Sequence, residues 1–271
     1  MLGIHFTLSE RRVIAILVAI NEAAKLLGIS PTTLRRLEKD DVVKGYGIKV
    51  YYTPGGQRRY STAEIEHYYL NRGFSGRFGF GSRPVLVAID CNTSFTNKES
   101  PMHGEWDKEI AQISKLIDIA HETDTPVIFS HSYFKEDDAA LQLFIKKVPG
   151  AEALPSDLAS IKLDPRIKQR ASDKHVYIKL FFSLYSETGL FDLLQQLECD
   201  TMIICGFSTS GAVRAMAMET IQYAIRPIIP AEAVGDRDEN VHRSNLADID
   251  KIFGDVLSVG EVARYLSDRK K

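Results

Sequence analysis

The chain has 271 residues, 44% hydrophobic and 26% charged, a globular composition with room for one large domain or a medium domain and a small companion. Thirty-four Lys and Arg against 36 Asp and Glu leave a net charge of −2, which argues against a polycationic nucleic-acid or membrane binder. Three cysteines, Cys91, Cys199 and Cys205, form neither an even disulfide framework nor a Cys-x-x-Cys metal spacing, which fits a reducing, cytoplasmic compartment.

The first feature along the chain is the apolar run "VIAILVAI" at residues 13–20. It is far short of the roughly 20 residues that span a bilayer, and no small-residue cleavage site follows it. Residues 1–18 read either as a loose leader or as a strand. Next, Ala24, Leu27, Leu34 and Leu37 recur at helical spacing. Gly28 closes one helix, and Ser30 and Pro31 suit the start of another. Two short helices with a glycine turn predict a helix-turn-helix. The β-rich "IKVYYTP", the turn "PGGQ" and "RRYSTAEIEHYYL" add a hairpin wing and a third helix capped by Ser61. Residues 21–80 carry a local net charge of +4, and the rest carries −6. The glycine-rich "NRGFSGRFGFGS" reads as a linker. The expected organisation is therefore a winged helix-turn-helix at 1–70, a linker at 71–82 and a larger domain at 83–271.

That larger domain alternates short apolar runs with helical patterns. Buried strands are predicted at residues 84–90, 126–130, 175–179, 201–206 and 226–230. Ile110, Ile113, Leu116, Ile117 and Ala120 share one helix face, and Leu190, Leu193, Leu194 and Leu197 another. The pattern predicts an α/β fold with a doubly wound, mostly parallel sheet, ligands binding at the strand C-terminal ends.

Asp90, Lys179 and Ala212 all stand at or just beyond predicted strand ends. Singly, each has an ordinary explanation: an acid can cap a helix, a lysine can be solvated and an alanine can pack. Together they are a nucleophilic site with one atom missing. A cysteine at 212 would lie at a helix start near an ammonium, and both lower a thiol pKa. Asp90 would then accept the thiol proton and return it to a leaving amine.

Five motifs carry a resemblance to a known family: "LVAIDCNTSFTNKESP", "VYIKLFFSLYSETGL", "GFSTSGAVRA", "AVGDR" and "NLADIDKIFGDV". In order and in register over residues 84–268, they resemble the isochorismatase-like cysteine hydrolases, in particular the N-carbamoylsarcosine amidase branch. The resemblance implies a Cys-Asp-Lys triad at Asp90, Lys179 and Ala212, the last replacing the cysteine. It implies a cis peptide at Phe207–Ser208 and an oxyanion hole from the N–H groups of Ser208 and residue 212. Phe95 and Thr209 would contact substrate, and Arg237 would hold a substrate carboxylate. His103, His121 and His131 are spaced unlike the metal set of the nicotinamidase relatives, so neither a metal nor another cofactor is expected.

"INEAAKLLGISPTTLRRLEKDDVV" and "GGQRRYS" resemble the MerR regulators. The resemblance implies that Thr32, Thr33, Arg35 and Arg36 face double-stranded DNA and that Arg58, Arg59 and Tyr60 contact its backbone. Assembly as a dimer or tetramer would fall to the larger domain.

The expected parent activity is C–N hydrolysis of a small carbamoyl or amide compound bearing a carboxylate, with ammonia released. As given, with Ala212, the chain is expected to be nearly inactive. Three origins stay open: a deliberate replacement of the cysteine, a natural pseudoenzyme that senses a ligand, or cysteine-independent chemistry using Asp90 as acid.

Overall fold

The computed structural model describes residues 16–44, 48–70, 76–133, 139–178, 184–185 and 188–269. Contacts divide the chain into two units, Met1–Arg77 and Phe78–Lys271.

In the first unit the elements are β1 (Leu17–Val18), α1 (Ile20–Leu27), α2 (Pro31–Lys44), β2 (Tyr51–Tyr52), β3 (Arg58–Ser61) and α3 (Thr62–Leu70). β3 lies between β1 and β2 and pairs antiparallel with both. Leu17 and Val18 are thus a strand, whereas residues 1–15 lie outside the described residues. Gly28 ends α1 with φ 65°, the left-handed conformation that glycine adopts without a Cβ penalty. Ser30 Oγ accepts the N–H of Thr33 at 3.1 Å and opens α2. Ala23, Ala24, Leu27, Leu34, Ile48, Tyr60 and Ile65 form the core of this unit.

The second unit contains β4 (Pro84–Ile89), α4 (Thr93–Thr96), α5 (Asp107–Glu122), β5 (Val127–Ser132), α6 (Ala139–Ile145), β6 (Lys174–Ile178) and α7 (Leu190–Gln196). β7 (Thr201–Phe207), α8 (Arg214–Thr220), β8 (Arg226–Pro230), β9 (Val234–Gly235), α9 (Glu239–Asp248), β10 (Asp255–Leu257) and α10 (Val259–Asp268) follow. The sheet order is β10-β8-β7-β4-β5-β6, with β9 paired to β7. Every pairing in it is parallel. β4 is buried at all six positions because it lies between β7 and β5 with helices on both faces. One face packs on α5 and α10, and the other on α7 and α8. The chain leaves β4 toward β5 and returns to place β7 on its other side. The C-terminal ends of β4 and β7 therefore flank the switch point where an open α/β sheet forms its crevice.

The glycine-rich stretch expected as linker is held to the second unit along its latter part. The N–H groups of Phe78 and Gly79 donate to Asp255, that of Gly81 to Thr201 Oγ1 and that of Ser82 to Asp200. Phe80 stacks on Tyr265 at 3.9 Å. The division between units falls at Arg77, because backbone amides there find carboxylate acceptors instead of water.

Candidate active site

Asp90 directly follows β4 with φ 52°, and only 3% of its surface is exposed. The N–H of Ser132 donates to Asp90 Oδ1 at 2.8 Å, and the Ser132 hydroxyl to Oδ2 at 2.9 Å. Burial pushes the Asp90 carboxyl up to about 7, and the two Ser132 bonds act against that rise. This is the range in which a carboxylate can both take and return a proton near neutrality. Sequence reasoning missed Ser132, which lies two residues past the expected end of its strand. Ser132→Ala is expected to raise the Asp90 pKa by about one to two units, since a hydrogen bond to a charged group contributes about 1.5–3 kcal/mol. A carbon-13 titration of the Asp90 carboxyl reads this directly, and an unmoved midpoint would refute the role. β6 ends at Ile178, opposite Ser132; Lys179, the next residue, lies outside the described residues.

The second part of the site follows β7. Gly206, paired with Ile89 of β4, has φ 112°, and the bond Phe207–Ser208 is cis. A wide helical turn at Thr209–Val213 then feeds α8, with Gly211 off helical geometry at φ −105° and ψ −108°. Gly211 N–H and Val213 N–H donate to the Ser208 carbonyl, and Ser210 N–H donates to Asp236 Oδ2 at 2.7 Å. These bonds leave the N–H groups of Ser208 and Ala212 out. Ala212 is buried among apolar neighbours on the α7–α8 face.

None of the three cysteines stands in this turn. Cys91 and Cys205 are fully buried on the opposite face of the sheet, where burial pushes both thiols up. Cys199 lies before β7, at the far end of the strand from the turn, and burial pushes it up to about 11.

Trp106, the only tryptophan, binds the substrate-side candidates together. Its ring stacks on Phe207 at 4.4 Å and its Nε1–H donates to the Phe95 carbonyl at 2.8 Å. A Cβ at Gly104 or Gly235 would collide with the indole, so both glycines are required by its close approach. The Arg237 guanidinium lies 5.8 Å from the centre of the Trp106 ring and donates to the carbonyls of Met102 and His103. Phe95 itself is buried with Leu141, Ala151 and Leu154. Thr209 is fully buried, and its hydroxyl lies 2.9 Å from His242 Nδ1.

In the first unit, Thr32, Arg35 and Arg36 are exposed on α2, and the Thr33 hydroxyl lies 3.0 Å from that of Ser30. Arg58 Nε donates to Glu38 at 3.2 Å, and Arg59 donates to the Arg58 carbonyl and to Gln57. The expected DNA contact by Tyr60 is corrected. Tyr60 is 0% exposed and its hydroxyl donates to Glu38, because its position on β3 faces the core.

His121 bonds Asp173 at 2.9 Å, and His131 bonds His175 at 3.0 Å. Among the described residues no group of three His, Cys, Asp or Glu is arranged to hold a metal. None of their helices is long and apolar enough to cross a membrane.

Residues 84–261, from β4 into α10, match the family model of the isochorismatase domain. The chain belongs to the isochorismatase family. Residues 17–73 match a helix-turn-helix domain, so an isochorismatase domain here follows a helix-turn-helix. The chain is similar to N-carbamoylsarcosine amidase of an Arthrobacter species, 33% identical over 204 residues, covering 73% of this chain and 76% of that one. It is 29% identical over 192 residues to maleamate amidohydrolase of Pseudomonas putida, covering 70% and 90%. A cysteine hydrolase structure from Pseudomonas syringae pv. phaseolicola superposes with a TM-score of 0.66 at 20% identity, covering 71% of this chain and 97% of that one. That last likeness is one of fold. Asp90, the Ser208–Ala212 turn and Arg237 all lie inside the isochorismatase domain.

Proposed function

We propose that this isochorismatase domain is built for amide or carbamoyl hydrolysis by a Cys-Asp-Lys route and that Ala212 occupies the nucleophile position. The carrying observation is the buried Asp90, fixed by Ser132, at a strand end in register with the turn that presents Ala212. Similarity to an N-carbamoylsarcosine amidase and a maleamate amidohydrolase supports the reaction class. With a thiol at 212, its proton passes to the Asp90 carboxylate and the sulfur attacks the carbonyl carbon. The ammonium of Lys179 stabilises the thiolate. The oxyanion is received by the N–H groups of Ser208 and residue 212. Asp90 returns the proton to the leaving nitrogen, ammonia departs, and water cleaves the thioester to restore the thiol. Phe95 and Thr209 shape the pocket, and Arg237 binds the substrate carboxylate with whatever donors the Met102 and His103 carbonyls leave free. Without sulfur the chain turns over poorly or not at all.

The first unit is proposed as a MerR-type DNA-binding module reading double-stranded DNA through Thr32, Thr33, Arg35 and Arg36, with Arg58 and Arg59 on the backbone. Pairing of the reading heads then falls to the isochorismatase domain, as a dimer or tetramer. A DNA-binding unit and three unpaired cysteines fit the cytoplasm.

The same missing sulfur, in a chain with a helix-turn-helix, favours a second reading: a ligand sensor that binds without turnover. One experiment separates the two. Ala212→Cys is offered carboxylate-bearing carbamoyl and amide compounds, and ammonia is measured. Release supports the hydrolase. Silence, with a compound that shifts salt-dependent DNA affinity, supports the sensor.

A further inference from the structure

Beside the catalytic turn runs a second segment, 236–242, which grips it at two consecutive residues. Asp236 Oδ2 accepts the N–H of Ser210 at 2.7 Å. His242 Nδ1 lies 2.9 Å from the hydroxyl of the fully buried Thr209. Between these two grips sits Arg237. The segment is stiff for local reasons. Asp236 Oδ1 accepts the N–H of Arg237, and Asp238 caps α9 by accepting the N–H groups of Asn240 and Val241 at 2.8 and 3.0 Å. At its start, Gly235 pairs with Phe207, the residue before Ser208. A hydroxyl with no exposure needs a partner, so the imidazole fixes where Thr209 sits.

We propose that His242 is a positioning residue, acting through the Thr209 hydroxyl to hold the oxyanion turn against the segment that bears Arg237. The inference rests on the amidohydrolase reading. It ties capture of the substrate carboxylate to the geometry of the N–H groups of Ser208 and residue 212. Donors aimed at charge that develops only in the transition state affect kcat rather than KM. His242 also lines an open cavity of about 830 Å³ with Glu109, Glu232 and Leu246, so trimming its side chain opens space to solvent without leaving a sealed void.

The test uses the full chain carrying Ala212→Cys. Adding His242→Ala is expected to lower kcat for ammonia release about 10- to 100-fold with KM changed less than about threefold. His242→Asn, whose amide can meet the Thr209 hydroxyl, recovers most of the loss. Thr209→Val gives a drop of similar size, and the Thr209→Val/His242→Ala double variant is no slower than Thr209→Val alone. Alkylation of the introduced thiol by iodoacetamide at pH 7 gives a readout independent of turnover. His242→Ala slows it several-fold, His242→Asn does not, and circular dichroism confirms that each variant is folded. Unchanged kcat and alkylation in His242→Ala, multiplying losses in the double variant, or no rescue by asparagine would each overturn the proposal. If Ala212→Cys releases no ammonia from any compound, the amidohydrolase reading fails on its own, and the alkylation series still decides the role of His242.

Discussion

Asp90→Asn, introduced beside Ala212→Cys, is expected to cut ammonia release about 10³-fold or more and to stabilise the protein above pH 7. The kinetic loss follows from the proposed role of Asp90 as the group that takes and returns the proton, a role worth about 10²- to 10⁴-fold. The stability gain follows from linkage. The Asp90 carboxyl is raised from its ordinary 3.8 to about 7 by burial, so the native state holds the proton more tightly than the unfolded chain. Stabilisation by that proton is whole below about pH 4 and is lost as the pH rises through 7. The interval corresponds to about 4 kcal/mol, an upper figure for a carboxylate forced to ionise in the interior. Asparagine is neutral at every pH and avoids this loss. Urea unfolding of the chain as it stands and of Asp90→Asn should therefore show curves that diverge between pH 4.5 and 8, with the variant the more stable at pH 8. Parallel pH profiles would mean that Asp90 is hydrated or paired and not desolvated.

Most of the α/β frame was legible because strands buried on both faces must be apolar along their length. β4, β7 and β8 stand out for that reason. β9 and β10, of two and three residues, are too short to leave a periodic signal, and both escaped. The ends of the larger strands could be read, so Asp90 and the turn before Ala212 could be placed at one rim. Ser132, Asp236 and His242 could not. Each acts on a residue at least 26 positions away, and only the parallel registers β4–β5 and β7–β9 bring them near. Tyr60 was misplaced for a related reason. In "RRYS" alternation alone does not say which side is inward, and pairing with Val18 and the bond to Glu38 turn the ring into the core. The glycine-rich stretch after residue 70 adds long-range bonds that composition does not carry. Composition reads it as a linker, and Asp200 and Asp255, more than a hundred residues on, supply acceptors for the N–H groups of Phe78, Gly79 and Ser82.

Gly206→Ala is expected to be among the most damaging single-atom additions possible in the isochorismatase domain. At φ 112°, Gly206 occupies backbone that L-residues rarely adopt, and a Cβ there would stand 2.0 Å from the Ile89 carbonyl oxygen, 2.7 Å from its nitrogen and 2.8 Å from its carbonyl carbon. All three are main-chain atoms of the neighbouring central strand, so no side chain can rotate away. Either β7 detaches from β4 at its end, or the end of β4 moves and takes Asp90 off Ser132. Gly189 separates clash from conformation. It too has positive φ, at 74°, but nothing lies within 4 Å of where its Cβ would be. Gly189→Ala should cost only the left-handed penalty of about 1–2 kcal/mol. Gly206→Ala should cost more than about 4 kcal/mol, in the range reserved for overpacked or strained core sites. For a domain of this size that lowers Tm by on the order of 10 °C or more. Thermal unfolding of the two variants side by side decides the matter. Equal losses would show that β4 yields to the added methyl, and the close approach that sets Asp90 beside the cis turn would then not be rigid.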